Sequence, residues 1–185
     1  MYLFLIPLIT GFVFNAASAQ TTSFSRRWGE KRGSLITFIL RNILGIPFWA
    51  IGFILAVRRP ASLLFRRSLP TDVLGVILLS TGGVIIIIAL VSIRSRAALP
   101  STRDALVHKG LYARVRHPIH SGTFLEFLGL FVFKPTTTVA VACGLGIVWV
   151  LVQTKLEERD LLQRIPAYGD YMKRVPRFFP GRRQK

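Results

Sequence analysis

The chain has 185 residues, the size of one domain, and combines 51% hydrophobic residues with a formal net charge of +17. A nucleic-acid binder would share the charge but would not need uncharged runs of membrane length, whereas a membrane protein with basic loops combines both properties. Cys143 is the only cysteine, which excludes an internal disulfide or a cysteine metal cluster, and no metal site is expected.

A membrane span needs about 20 apolar residues, with a lower limit near 17. Residues 1–25 carry no charge, and residues 33–57 are apolar apart from Arg41 and Asn42. Residues 73–93 are uncharged with IIII at their centre, residues 118–133 are apolar except for His120 and Glu126, and residues 135–152 are uncharged. Five helices are predicted, at about 2–22, 34–57, 72–93, 119–133 and 135–154. No strand pattern and no repeat is present, and only helices or closed barrels cross lipid.

The first run ends in FNAASAQ, an A-x-A pattern of the kind a cleaved signal peptide carries, but no basic residue precedes it. The expectation is a retained span whose small residues permit close packing. With the N-terminus outside, the inside segments hold nineteen Lys and Arg and the outside loops five. That bias puts the C-terminus in the cytoplasm. The outer RRPASLLFRR stretch runs against the bias and reads as an amphipathic piece at the headgroups. In the second and fourth spans, Arg41 and Glu126 suggest either an interhelical ion pair or the lining of a passage. Gly144-x-Gly146, in an uncharged span, reads as helix packing.

Two stretches carry the chemistry. GLYARVRHPIHSG, residues 110–122, enters the fourth span. Pro118 disfavours helix at His117 and suits the first turn of the helix that follows, whose free N–H groups suit an anion. LEERDLLQRIPAYGDYMKRVPRFFP, residues 156–180, leaves the fifth span, and a separate short helix is expected after the glutamates. Adjacent acids at Glu157 and Glu158 in a basic tail need either arginine partners, Arg116 or Arg159, or a cationic ligand. Tyr168 and Tyr171 are three apart and share a helix face.

These stretches resemble the isoprenylcysteine carboxyl methyltransferase family of integral-membrane methyltransferases. Gly110, Tyr112, Arg116, His117, Pro118 and Gly122 match its first signature. Glu157, Glu158, Leu161, Tyr168, Tyr171, Arg174, Val175 and Pro176 match its second, with Arg177 and Pro180 as in bacterial-type relatives. The resemblance covers about residues 100–181. His120 stands where the family has Tyr, and Ile165–Pro166 replaces its Phe-Gly.

The resemblance implies S-adenosyl-L-methionine as cofactor and methyl donor, held by His117, Pro118, Gly122, Glu157, Glu158, Tyr168 and Tyr171. A carboxylate accepts from the donor's ammonium or hydroxyls, His117 and the helix start suit its carboxylate, and a tyrosine covers the adenine. The catalytic candidates are Arg116 and Arg174, which would orient an acidic acceptor, and His120, which would serve as base for an amine or thiol. The expected partners are a lipophilic methyl acceptor and membrane lipid. The expected architecture is an all-α integral membrane protein of five transmembrane helices with a C-terminal cytoplasmic helical lid. Residues 1–70 would form two N-terminal spans and residues 71–185 the methyltransferase core. Two other functions fit the same scaffold, a nicotinamide-dependent membrane reductase of the sterol-reductase type and a non-enzymatic membrane subunit.

Overall fold

The computed structural model describes residues 2–93, 101 and 104–181. The predicted loop cations Arg94, Arg96 and Arg103 lie outside the described residues. The helices are α1 (Leu5–Ser18), α2 (Thr21–Trp28), α3 (Glu30–Phe38), α4 (Ile46–Arg58), α5 (Leu69–Ile93), α6 (Pro118–Phe133), α7 (Thr137–Arg164) and α8 (Tyr168–Arg174). Among the described residues the only β pairing is an isolated bridge between Leu63 and Thr136.

Three helices are long and apolar enough to cross a membrane: Glu30–Arg58, Leu69–Ile93 and Thr137–Arg164. The shorter apolar helices α1 and α6 flank them. Glu30–Arg58 is one run of α3, a π-helical segment at Ile39–Gly45 and α4. The π-helical segment carries Arg41 and Asn42. Along α5, Val73, Val76, Ile77, Val84, Ile87 and Val91 are exposed. So much apolar surface on a 25-residue helix is at home only against lipid.

Two differences from the sequence reading stand out. The first apolar run ends at Ser18, and residues 21–28 turn into a separate helix in which Thr21, Thr22 and Ser25 are buried. Gly29, at φ 82, turns the chain from α2 into α3, a conformation glycine adopts without strain. No separate helix follows the paired glutamates either. They belong to α7 itself, which continues to Arg164. Ile165 and Pro166 end it, and the tyrosines start α8.

Glycines set the helix contacts. Gly75 and Gly82 on α5 face Gly129 and Gly122 on α6. A Cβ at Gly82 would stand 2.6 Å from the Gly122 carbonyl, and one at Gly122 would stand 2.6 Å from the Gly82 carbonyl. Both pairs are seven residues apart along their helices, so one antiparallel seam brings the two backbones together. Gly52 on α4 packs against Leu8 on α1 in the same way. The core joins α1, α4, α6 and α7. Phe12 stacks on Trp149 at 4.8 Å, and Phe53 stacks on Phe127 at 5.2 Å. Gly146 packs on the Phe127 ring, as expected for the Gly144-x-Gly146 pair, whereas Gly144 faces open space.

Candidate functional site

The site lies where α6 begins and α7 nears its end. His117 caps α6 and Pro118 opens it. The amides of Arg116 and His117 donate to the carbonyls of Pro176 and Arg177, at 2.9 and 3.0 Å. Ser121 Oγ donates to the Phe178 carbonyl at 2.6 Å, and Phe178 meets the Phe124 ring edge-on at 5.0 Å. The tail therefore folds back onto the start of α6. These contacts use the two amides just before the helix.

The paired glutamates divide. Glu158 is buried and accepts from Arg116 Nε at 3.1 Å, from Arg177 Nε at 3.1 Å and from His117 Nε2 at 3.2 Å. Arg116 also donates through Nη1 to the carbonyls of Met172 and Val175, at 2.6 and 2.8 Å. Glu158 has thus found its arginine partners. Glu157 is one residue, about 100° of helix rotation, away and turns to a cavity. It accepts from Gln153 Nε2 at 2.8 Å and lies 3.8 Å from His117 Nδ1.

The cavity measures about 710 Å³. Its polar end holds His117, His120, Gln153, Glu157, Tyr168 and Tyr171, and its apolar side includes Ile86, Leu90 and Ile119. Thr154 Oγ1 lies 2.7 Å from the Val150 carbonyl and 2.9 Å from His120 Nδ1. With its proton on the carbonyl it accepts from Nδ1, the arrangement that leaves a lone pair on Nε2. His117 stacks on His120 with ring centroids 5.4 Å apart. Tyr171 donates to the Tyr112 carbonyl at 2.6 Å. Burial pushes its phenol up to about 12, against a smaller opposing pull from Arg116. Burial also raises the Tyr112 and Tyr168 phenols.

A family model described as phospholipid methyltransferase matches residues 70–170, which takes in α5 to the start of α8 and most of this site, but not Tyr171 or the tail. The chain belongs to the phospholipid methyltransferase family. It is 30% identical over 153 residues to the cobalt-zinc-cadmium resistance protein CzcN of Cupriavidus metallidurans, a match that covers 80% of this chain and 68% of that one. It is 33% identical over 76 residues to the nickel-cobalt-cadmium resistance protein NccN of Alcaligenes xylosoxydans xylosoxydans, covering 40% of this chain and 36% of that one. No solved structure matches.

Several expected site residues of this family member hold other positions. Arg174 is exposed, stands outside the cavity and donates to the Asp170 carbonyl, so it is not placed to orient an acceptor. Arg116 borders the cavity, but its guanidinium is engaged by Glu158 and the tail carbonyls. Gly122 serves the seam with α5, and Pro118 starts α6; neither lines the cavity, nor does Glu158. Arg41 and Glu126 do line it, with no ion pair joining them among the described residues.

The sequence reading missed Gln153, Trp149 and Trp49, which border the cavity, and Asp160, which accepts from the Thr22 amide at 2.7 Å and ties α2 to the site. Gln153 was within reach of pattern reasoning, because it sits one helical turn before Glu157 on the same face.

Proposed function

We propose that the chain is an S-adenosylmethionine-dependent membrane methyltransferase acting on a lipophilic acceptor at the cytoplasmic boundary. The observation that carries this reading is the cavity. It gathers His117 of one signature and its neighbour His120 with Glu157, Tyr168 and Tyr171 of the other, and it continues into an apolar side between helices. Its volume suits a small-molecule cofactor. The donor set suits this one: a carboxylate at Glu157, imidazoles at His117 and His120, and buried polar atoms without partners among the described residues, Tyr168 Oη and Gln153 Oε1 among them. When bound, the cofactor supplies an electrophilic methyl group on a sulfonium.

In this reading Glu157 receives the donor's ammonium or ribose hydroxyls, while Tyr168 and Tyr171 flank its ring system. His120 presents Nε2 as an acceptor for a proton from an amine or thiol acceptor. Arg41, in the π-helical segment, lines the cavity where a lipophilic acceptor would enter. Glu158 and Arg116 hold the tail, which acts as a lid and excludes water. The excess of Lys and Arg on the site's side supports a cytoplasmic site, and in this reading α1 and α6 complete five spans. Calorimetric titration in detergent tests the cofactor. S-adenosylhomocysteine should bind and NADPH should not; the reverse result selects a reductase, and no binding of either selects a non-enzymatic subunit.

One observation favours a second reading. His117, His120 and Glu157 each bring a ligand atom within 4.8 Å of the others, a set of types that suits a divalent transition metal, and both relatives are named for metal resistance. Arg116 and Arg177, gathered beside the trio at Glu158, weigh against an added cation. Titration with Co²⁺ decides between the readings: a d–d absorption band lost on adding S-adenosylhomocysteine would place a metal in the same cavity.

A further inference from the structure

The end of the molecule remote from the cavity carries a second charged feature. α5 runs between the two ends and is about 37 Å long at 1.5 Å per residue. The loop between α4 and α5 holds Arg58, Arg59, Arg66 and Arg67, and the turn between α6 and α7 adds Lys134. Of the chain's eight carboxylates, Asp72 alone belongs to this end. It takes both arms of Arg67, each at 3.0 Å. Among the described residues, Arg58, Arg59, Arg66 and Lys134 form no ion pair.

This loop is built onto the helices. The Leu64 amide donates to the Pro135 carbonyl at 2.8 Å, and the Thr137 amide donates to the Ser62 carbonyl at 3.1 Å. Arg67 lies over the Phe133 ring at 5.0 Å, and Phe65 meets Phe131 edge-on. Between the arginine pairs, Leu63 and Leu64 are 58% and 53% exposed. A fixed loop thus presents two bare aliphatic side chains flanked by unneutralised cations at the level where the long helices end. Water alone would favour the cations but not the leucines, and hydrocarbon alone the reverse. A headgroup layer accommodates both, with the leucines in the acyl boundary and the arginines among phosphates.

We propose that residues 58–67 and Lys134 form a binding site for the headgroup of an anionic phospholipid in the leaflet opposite the cavity. The ligand group is a phosphate anion flanked by acyl chains. Arg58, Arg59, Arg66 and Lys134 receive its oxygens, Leu63 and Leu64 meet its first methylenes, and Arg67 anchors the loop. The site gives this end of the protein a reason to keep five cations on the side where few are expected.

The test uses the purified full chain in zwitterionic detergent, with thermal unfolding followed while short-chain phosphatidylglycerol, short-chain phosphatidylcholine or inorganic phosphate is added. Phosphatidylglycerol should raise the midpoint in a saturable way, and the other two should not. A basic residue near an anionic lipid surface strengthens binding by about fivefold. The triple variant Arg58→Gln/Arg59→Gln/Arg66→Gln should therefore weaken the apparent affinity by at least about tenfold, with helicity by circular dichroism as its check on folding. If that variant does not fold, Lys134→Gln alone should weaken it by a few fold. Equal stabilisation by the two lipids, equal stabilisation by inorganic phosphate, or parent-like affinity in the folded variants would each overturn the proposal.

Discussion

Arg116 and Glu158 meet 3.0 Å apart with side chains only 9% and 5% exposed, and through that contact the loop before α6, the end of α7 and the tail are held together. Removing one partner from a buried ion pair costs about 3–5 kcal/mol, because the other charge is left without compensation. Glu158→Gln should therefore lower the thermal midpoint in detergent by several degrees. Arg177 and His117 lose the same negative charge, so the tail should also become more susceptible to protease. A parent-like midpoint would show that the network contributes nothing to stability.

Glu157 should behave in the opposite way. It is half-buried, accepts one hydrogen bond from Gln153 and faces the cavity. Glu157→Gln should leave the midpoint within a degree or two of the parent. A hydrogen bond to a charged group is worth about 1.5–3 kcal/mol, so affinity for S-adenosylhomocysteine should fall by roughly tenfold to a hundredfold. Unchanged affinity measured by calorimetry would remove Glu157 from the cofactor site.

The glycines allow a paired comparison. A Cβ at Gly122 meets the Gly82 carbonyl at 2.6 Å, a contact with backbone that cannot swing aside, whereas a Cβ at Gly144 meets nothing within 4 Å. Gly122→Ala should part α5 and α6 and shorten the lifetime of the protein in detergent. Gly144→Ala should be neutral or stabilising, since alanine is the better helix former. Equal effects in an unfolding assay would contradict the seam.

Much of this architecture was legible in the sequence. Apolar runs of membrane length identified the three long helices, though the uncharged first run folded as two shorter ones, and Pro118 marked the start of α6 to within a residue. The two signatures met at one end of the molecule, as their placement at helix ends required. The roles within each signature were not legible. Arg116 and Glu158 satisfy each other, and Gly122 serves a helix seam, yet in a linear motif they look no different from the neighbours that line the cavity. Only three-dimensional packing separates Glu157 from Glu158, because one residue of helix turns a side chain from the cavity to the tail. α7 extended ten residues past the expected end for a related reason. Apolar content marks the span, but a helix continues through charged residues until something breaks it, here Ile165–Pro166.

Tyr171 links tail docking to pH. Its hydroxyl donates to the Tyr112 carbonyl, and burial pushes its phenol up to about 12. A group whose folded pKa lies above its unfolded value of 10 contributes stability that is fully present below pH 10 and is lost as pH rises toward 12. The parent should therefore lose thermal stability between pH 10 and 12, and Tyr171→Phe should lose less over the same interval. Parallel melting curves for the two proteins across that range would count against this assignment.

The tail gives the last prediction. Its backbone carbonyls at Pro176, Arg177 and Phe178 accept from Arg116, His117 and Ser121, and Tyr168 and Tyr171 reach into the cavity wall. A segment held at both the wall and the entrance of a cavity responds to what fills it, because a ligand against Tyr168 stabilises the docked state over the released one. Trypsin reports the released state at Arg177, which is docked through Glu158. Arg174 is exposed but lies on α8, so its cleavage requires the short helix to open. S-adenosylhomocysteine should slow cleavage at Arg177 by the factor by which it populates the closed state, about tenfold at a concentration ten times its dissociation constant. The competing picture is a basic tail that lies on anionic headgroups. In detergent without anionic lipid such a tail would be cut at the same rate with and without S-adenosylhomocysteine, and adding phosphatidylglycerol would be what protects it. Glu158→Gln separates the two pictures further. It should raise the cleavage rate of a docked lid even without ligand, because Arg116 and Arg177 then lose the carboxylate that holds the segment in place, whereas a headgroup anchor would not register the change.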